Sequence, residues 1–102
     1  MIELKPGRSL VTQGVTLTDT ESTTVLFKTS NYGLDSSYCA ILNDAETSVE
    51  IAFGGVEDGD PEPVYPEDYF TIHTNGNYEI PPSAFARKIK VWLRGERVVI
   101  IY

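Results

Sequence analysis

Apolar and polar residues alternate with a period of two in several short stretches of this chain, and no stretch carries helical apolar spacing over a useful length. The alternation is cleanest in residues 48–54, where Val49, Ile51 and Phe53 share one face and Glu50 and Ala52 the other. Within 22–30, Val25 and Phe27 face one way and Thr24, Leu26 and Lys28 the other. Residues 9–18 and 22–30 are rich in Thr and Val, the composition of half-buried strands, and Asp19-Thr20-Glu21 reads as the turn between them. A further strand spans 37–43 and stops at Asn43-Asp44-Ala45-Glu46, where Asn and Asp side chains compete for the backbone. Strand character returns over 67–74, with a turn at Asn75-Gly76-Asn77. Residues 81–86 allow one helical turn after Pro82. The reading is all-β: a small antiparallel β-sandwich or jelly-roll-like barrel of about seven to eight strands.

Register follows from treating the last two turns as hairpins. A three-residue loop at 75–77 sets Ile72 opposite Ile80 and Thr74 opposite Tyr78, with His73 beside Glu79 and positive φ at Gly76 or Asn77. Residues 87–102 (RKIKVWLRGERVVIIY) predict a closing hairpin around Gly95-Glu96, a pair suited to a type II′ turn, and a chain that ends inside a sheet. One face pairs Leu93 with Val98, Val91 with Ile100 and Ile89 with Tyr102, and belongs to the core. The other sets Trp92 against Val99 and Lys90 against Ile101, with Arg94 and Arg97 at the turn. Trp92, Val99 and Ile101 are too apolar to sit comfortably in water, since a fully buried aliphatic side chain contributes ~1.5–3 kcal/mol. Either the arm 1–8 or a long loop covers them, or they form a docking surface in which an aromatic anchor is ringed by Lys88, Lys90, Arg94 and Arg97.

With 102 residues the chain fits one domain, read as a lead-in arm or strand (1–8) and a sandwich (9–102). The net charge of −7 is unevenly placed. Residues 19–79 hold thirteen acids and one base, a balance of −12, whereas 80–102 hold five bases and one acid, a balance of +4. Such a dipole favours ordered contacts between copies, or docking of the basic end on an acidic surface, and argues against nucleic-acid binding. The single cysteine, Cys39, excludes an intramolecular disulfide. No segment approaches the ~18 apolar residues of a membrane span, and residues 1–8 contain no signal-type apolar run.

Candidate chemistry is sparse. His73 is the only histidine, and nothing in the spacing brings it to Cys39, which reads as a small buried hydrophobe. Glu57, Asp58, Asp60, Glu62, Glu67 and Asp68 supply hard oxygens for Ca²⁺, but the segment 54–68 lacks an alternating loop pattern and its prolines hold it open. Tyr65, Tyr69, Tyr78 and Trp92 are the aromatic residues from which a sugar-stacking platform could be built. No catalytic, cofactor or metal residue is assigned, and no cofactor is expected.

From Tyr69 to Tyr102 the chain resembles the C-terminal part of short virion structural proteins of tailed bacteriophages. The likeness lies in the order of features: a Thr-rich start, an Asn-Asp turn before an alternating strand, a Gly-Gly loop, and a Pro-bounded hairpin before a closing strand. It implies a multicopy β-sandwich on the capsid, a decoration or cement protein, or else a neck or tail accessory, and it carries over no site residues. The expectation is a non-enzymatic homo-oligomer, a trimer in first place, binding the major capsid protein or another virion protein. It is made in a host cytoplasm and ends in the virion, with no membrane or nucleic-acid partner. Its interface residues are Trp92, Val99, Ile101, Lys90, Arg94 and Arg97. The alternative is a carbohydrate- or receptor-binding β-sandwich module.

Overall fold

The computed structural model describes residues 1–57 and 59–102. Among them the chain forms nine strands and one short helix in the order β1 (Ile2–Leu4), β2 (Thr12–Thr16), β3 (Thr23–Phe27), β4 (Ala40–Leu42), β5 (Val49–Phe53), β6 (Phe70–Ile72), β7 (Asn77–Glu79), α1 (Pro82–Ala86), β8 (Val91–Arg94) and β9 (Arg97–Ile101). A five-stranded sheet, β1-β3-β8-β5-β6, faces a four-stranded one, β2-β9-β4-β7. The all-β sandwich expected from the alternation is therefore the fold, with β1 running parallel to β3 and the other pairs antiparallel. The arm 1–8 thus contributes a strand, and Leu4 is fully buried in the core.

The inward faces are those read from the pattern. Val25, Val49, Ile51, Val91 and Leu93 from one sheet meet Ile41, Val98 and Ile100 from the other, all fully buried. Phe27 packs edge-on against Phe85 of α1 with ring centroids 4.9 Å apart, so the helix closes one end of the core. Each alternating strand sends every second side chain into this layer, and burial of apolar area holds the sheets together.

The connections differ from the expected ones. Both hairpins are arches that cross from one sheet to the other. β8 pairs with β3 and β5, whereas β9 pairs with β2 and β4. Leu93–Val98 and Val91–Ile100 are accordingly not cross-strand pairs; these side chains come from opposite sheets into a shared core. Gly95 makes the arch possible. Its φ is +148°, and a Cβ there would stand 2.9 Å from Cγ2 of Val49. Likewise β6 pairs with β5 and β7 with β4, so Ile72 and Ile80 are not register partners and His73 is not set against Glu79 by a ladder. The positive φ in that turn falls on Asn75, at 63°, not on Gly76 or Asn77. Among the described residues β5 and β6 are the consecutive strands that do pair, and the longest loop joins them.

Asn43 fixes the neighbouring crossover. Buried at 1% exposure, it donates its Nδ2 to the carbonyls of Ile72 and Thr47, both at 2.9 Å, and accepts the Ala45 N–H at 3.0 Å. Its backbone binds Gly76 and Asn75. One polar side chain thereby ties the turn after β4 to the end of β6, with its amide satisfied in the interior.

Candidate contact surfaces

Separating β8 from β9 divides the expected interface. Lys90, Trp92 and Arg94 project from the outer face of the five-stranded sheet; Arg97, Val99 and Ile101 project from the outer face of the four-stranded sheet. The contiguous patch read from a hairpin is therefore not formed. Alternation identified which residues point outward but not that they leave in opposite directions.

On the five-stranded side the residues are engaged by the chain's own loop. Trp92 is half-buried, and its Nε1 donates to the carbonyl of Gly54 at 2.9 Å. Lys90 and the Gly54–Gly55 segment exchange backbone bonds of 3.1 and 2.9 Å, and Lys90 Nζ donates to the Glu57 carbonyl at 2.8 Å. Ala52, beside Trp92 in the register and pointing outward, is only 1% exposed. Arg94 donates to Ser22 Oγ at 3.1 Å and stacks 4.3 Å from the centre of the Tyr65 ring. Residues of the loop 54–68 thus cover this face around Trp92, whereas the single cover expected over Trp92, Val99 and Ile101 together is not formed, because Val99 and Ile101 lie on the other sheet.

The four-stranded side is different. Cross-strand register places Val99 between Gly14 and Leu42, and Ile101 between Thr12 and Ala40. Leu42, Val99 and Ile101 are adjacent and partly exposed on one outward face. Arg97 is paired with Asp44 at 2.9 Å, and its guanidinium lies over Gly14. Leu10, Tyr38, Arg8 and Tyr102 line a hollow of about 240 Å³; Leu10 is 66% exposed. Leu42 and Leu10 carry no local sign of this placement, because Ala40-Ile41-Leu42 is a continuous apolar run and Leu10-Val11 an adjacent apolar pair, and nothing beside Tyr38 marks it either.

The other candidates stay apart or are otherwise engaged. His73 is exposed, whereas Cys39 is buried next to β4, and burial pushes its thiol pKa up to about 12. In the acidic loop, Asp60 accepts the N–H groups of Val56 and Glu57 at 2.8 and 2.9 Å, and Asp68 accepts that of Val64 at 2.8 Å. The Val56 bond first and the Glu57 bond second hold the Asp60 pKa below its usual value. Asp58 lies outside the described residues; among those described, no group of three or more His, Cys, Asp or Glu is placed to hold a metal ion.

The four aromatics do not assemble as a platform. Tyr65 and Tyr69 meet edge to face, at 77° and 5.2 Å, while Tyr78 packs 5.1 Å from Phe70. A separate open cleft of about 670 Å³ lies beside the β8–β9 arch, lined by Asp19, Glu50, Tyr65, Arg94 and Glu96 among others. No protein-family profile, curated protein or solved structure matches the chain.

Proposed function

We propose that this chain is a non-enzymatic structural protein of tailed-phage particles, a decoration or cement protein that binds and stabilises the head lattice. The observation that carries the reading is the outward row of Leu42, Val99 and Ile101 on the four-stranded sheet, in a sandwich whose other outer face is covered around Trp92 by residues of the loop 54–68. A one-sided sandwich of this kind suits a protein that lies flat on a larger surface. Docking the row on capsid protein removes apolar area from water, at roughly 25 cal/mol per Å² buried. Arg97 and Asp44 at its margin add polar contacts that select the partner. The shell gains stability by linkage, because the bound chain favours the joined over the separated capsid subunits.

Quantitative mass spectrometry of purified particles from the source that makes this chain tests the reading. It predicts the chain in many copies per particle; particles that lack it contradict the proposal.

A second reading, a glycan-binding module, is favoured by the 670 Å³ cleft, where a tyrosine ring, an arginine and three carboxylates converge. It predicts saturable glycan binding by the isolated chain that Tyr65→Ala abolishes. Absence of glycan binding contradicts it.

A further inference from the structure

Sheet edges present unpaired backbone groups, and folded proteins protect them with short strands, charges, prolines or covering segments. Four strands lie at edges here: β1 and β6 in one sheet, β2 and β7 in the other. β1, β6 and β7 are each three residues long. Glu3, Lys5 and Pro6 lie in or beside β1, Pro66, Glu67 and Asp68 precede β6, and Glu79, Pro81 and Pro82 close β7. β2 carries none of these devices in its own sequence, and the one charge near it, the Arg97 guanidinium over Gly14, is paired with Asp44. It is five residues long, and residues 9–18 (SLVTQGVTLT) contain neither charge nor proline.

The backbone of β2 is oriented for pairing. Val11 and Tyr102 exchange N–H···O bonds of 2.7 and 3.0 Å, and the Leu17 N–H donates to the Glu96 carbonyl at 2.8 Å. Together with the antiparallel register, this directs the N–H and C=O groups of the odd positions 11–17 at β9. Those of Thr12, Gly14 and Thr16 therefore point away from the sheet, and all three residues are exposed.

We infer that this edge pairs with the same edge of a second copy, about a two-fold axis at Gly14. The outward positions Thr12, Gly14 and Thr16 read the same in both directions, and on the inner face Gln13 comes opposite the partner's Val15. Thr12 then opposes the partner's Thr16, and Gly14 opposes the partner's Gly14. In each of these pairs both residues aim their backbone groups outward, so each forms a closely spaced hydrogen-bonded pair. On the core side Val11, 42% exposed in the single chain, comes opposite the partner's Leu17. Threonines facing one another across strands stabilise a ladder. Gly14 suits the axis because it brings no side chain of its own beneath the Arg97 guanidinium, whose Nη2 lies 3.0 Å from where a Cβ would stand. Each Arg97 brings Asp44 as its counter-ion, so the two guanidinium groups approach as neutralised pairs. The product is one continuous eight-stranded sheet with the Leu42–Val99–Ile101 row repeated on the same outward face. An edge that pairs with itself closes at two copies, in contrast to the trimer expected from the sequence.

The inference rests on β2 alone and holds whether or not the chain belongs to a particle. Sedimentation equilibrium of the purified chain tests it, with circular dichroism as the check on folding. The expected wild-type mass is twice the 11.3 kDa of the chain. Thr16→Pro removes an outward N–H without touching the ladder to β9, and should give a folded protein of single-chain mass. Thr12→Lys/Thr16→Lys keeps the backbone and places charges on the edge, so it should do the same if the proline variant fails to fold. A wild-type monomer, or an oligomer whose mass the lysine pair leaves unchanged, would overturn the inference.

Discussion

The indole N–H of Trp92 donates to the carbonyl of Gly54 at 2.9 Å, a contact that spans 38 residues of sequence and fastens the loop 54–68 to the outside of the five-stranded sheet. It makes Trp92 a part of the fold where a hairpin reading would make it the centre of an interface. Trp92→Ala should therefore lower stability, by about 2–3 kcal/mol for a half-buried ring against ~3–5 for a fully buried one. Trp92→Phe, which loses chiefly the hydrogen bond, should cost about 1 kcal/mol. Urea unfolding followed by far-ultraviolet circular dichroism measures both. Wild-type midpoints in the alanine variant would show that the loop does not depend on the indole.

The same loop should respond to acid through Asp60. Its carboxylate accepts N–H groups from Val56 and Glu57, and its pKa is held below the usual 3.8. As pH falls the unfolded chain takes up the proton first, so the carboxylate's contribution is complete above 3.8 and disappears as pH drops through the lowered folded value. Fluorescence of Trp92, the only tryptophan, should report loosening of the loop below about pH 4. In Asp60→Ala the loosening should already be present at neutral pH, and the acid step should shrink. An identical pH profile in the two proteins would contradict this.

Cys39 should be unreactive in the folded chain. It is 1% exposed and its thiol is pushed up to about 12, so almost no thiolate is present near neutral pH. Labelling with a thiol reagent at pH 8 should be negligible in native buffer and stoichiometric in denaturant. Rapid native labelling would place Cys39 at the surface.

Asn43→Ala removes the acceptor for Ala45 and the donor to Ile72 and Thr47, leaving backbone groups unpaired in or near the core. A loss of about 2–4 kcal/mol is expected, since each unsatisfied buried group costs ~1–3 kcal/mol. For a domain of this size, each 1 kcal/mol lowers Tm by about 4–8 °C. Thermal unfolding should thus show a fall of about 8 °C or more, and a shift of only a degree or two would contradict the role given to Asn43.

Alternation made the faces legible and left the partners obscure. The pattern places Val91, Leu93, Val98 and Ile100 in the core, and all four are fully buried. Two apolar strands joined by a Gly turn carry the same pattern whether they lie side by side in one sheet or face to face across two. Gly95 is read equally well as a hairpin glycine or as the corner of an arch, and only the partners supplied by β2, β3, β4 and β5 distinguish them. The loop 54–68 was legible as a loop from its glycines and prolines, but the face it covers depends on long-range bonds to Lys90 and Trp92. Asn43 read as a turn former, and its reach to Ile72, 29 residues on, leaves no local trace. Of the expected interface residues, Val99, Ile101 and Arg97 share one face; Leu42 joins them only through the β4–β9 register.

Binding to particles is the most direct test of the proposed function. Purified wild-type chain and Leu42→Glu, each verified as folded, would be co-sedimented with tailed-phage heads prepared without the protein. The account predicts saturable wild-type binding at a fixed number of copies per head, and affinity at least about tenfold weaker for Leu42→Glu, the equivalent of ~1.4 kcal/mol. No wild-type binding, or wild-type occupancy by the glutamate variant, would contradict it.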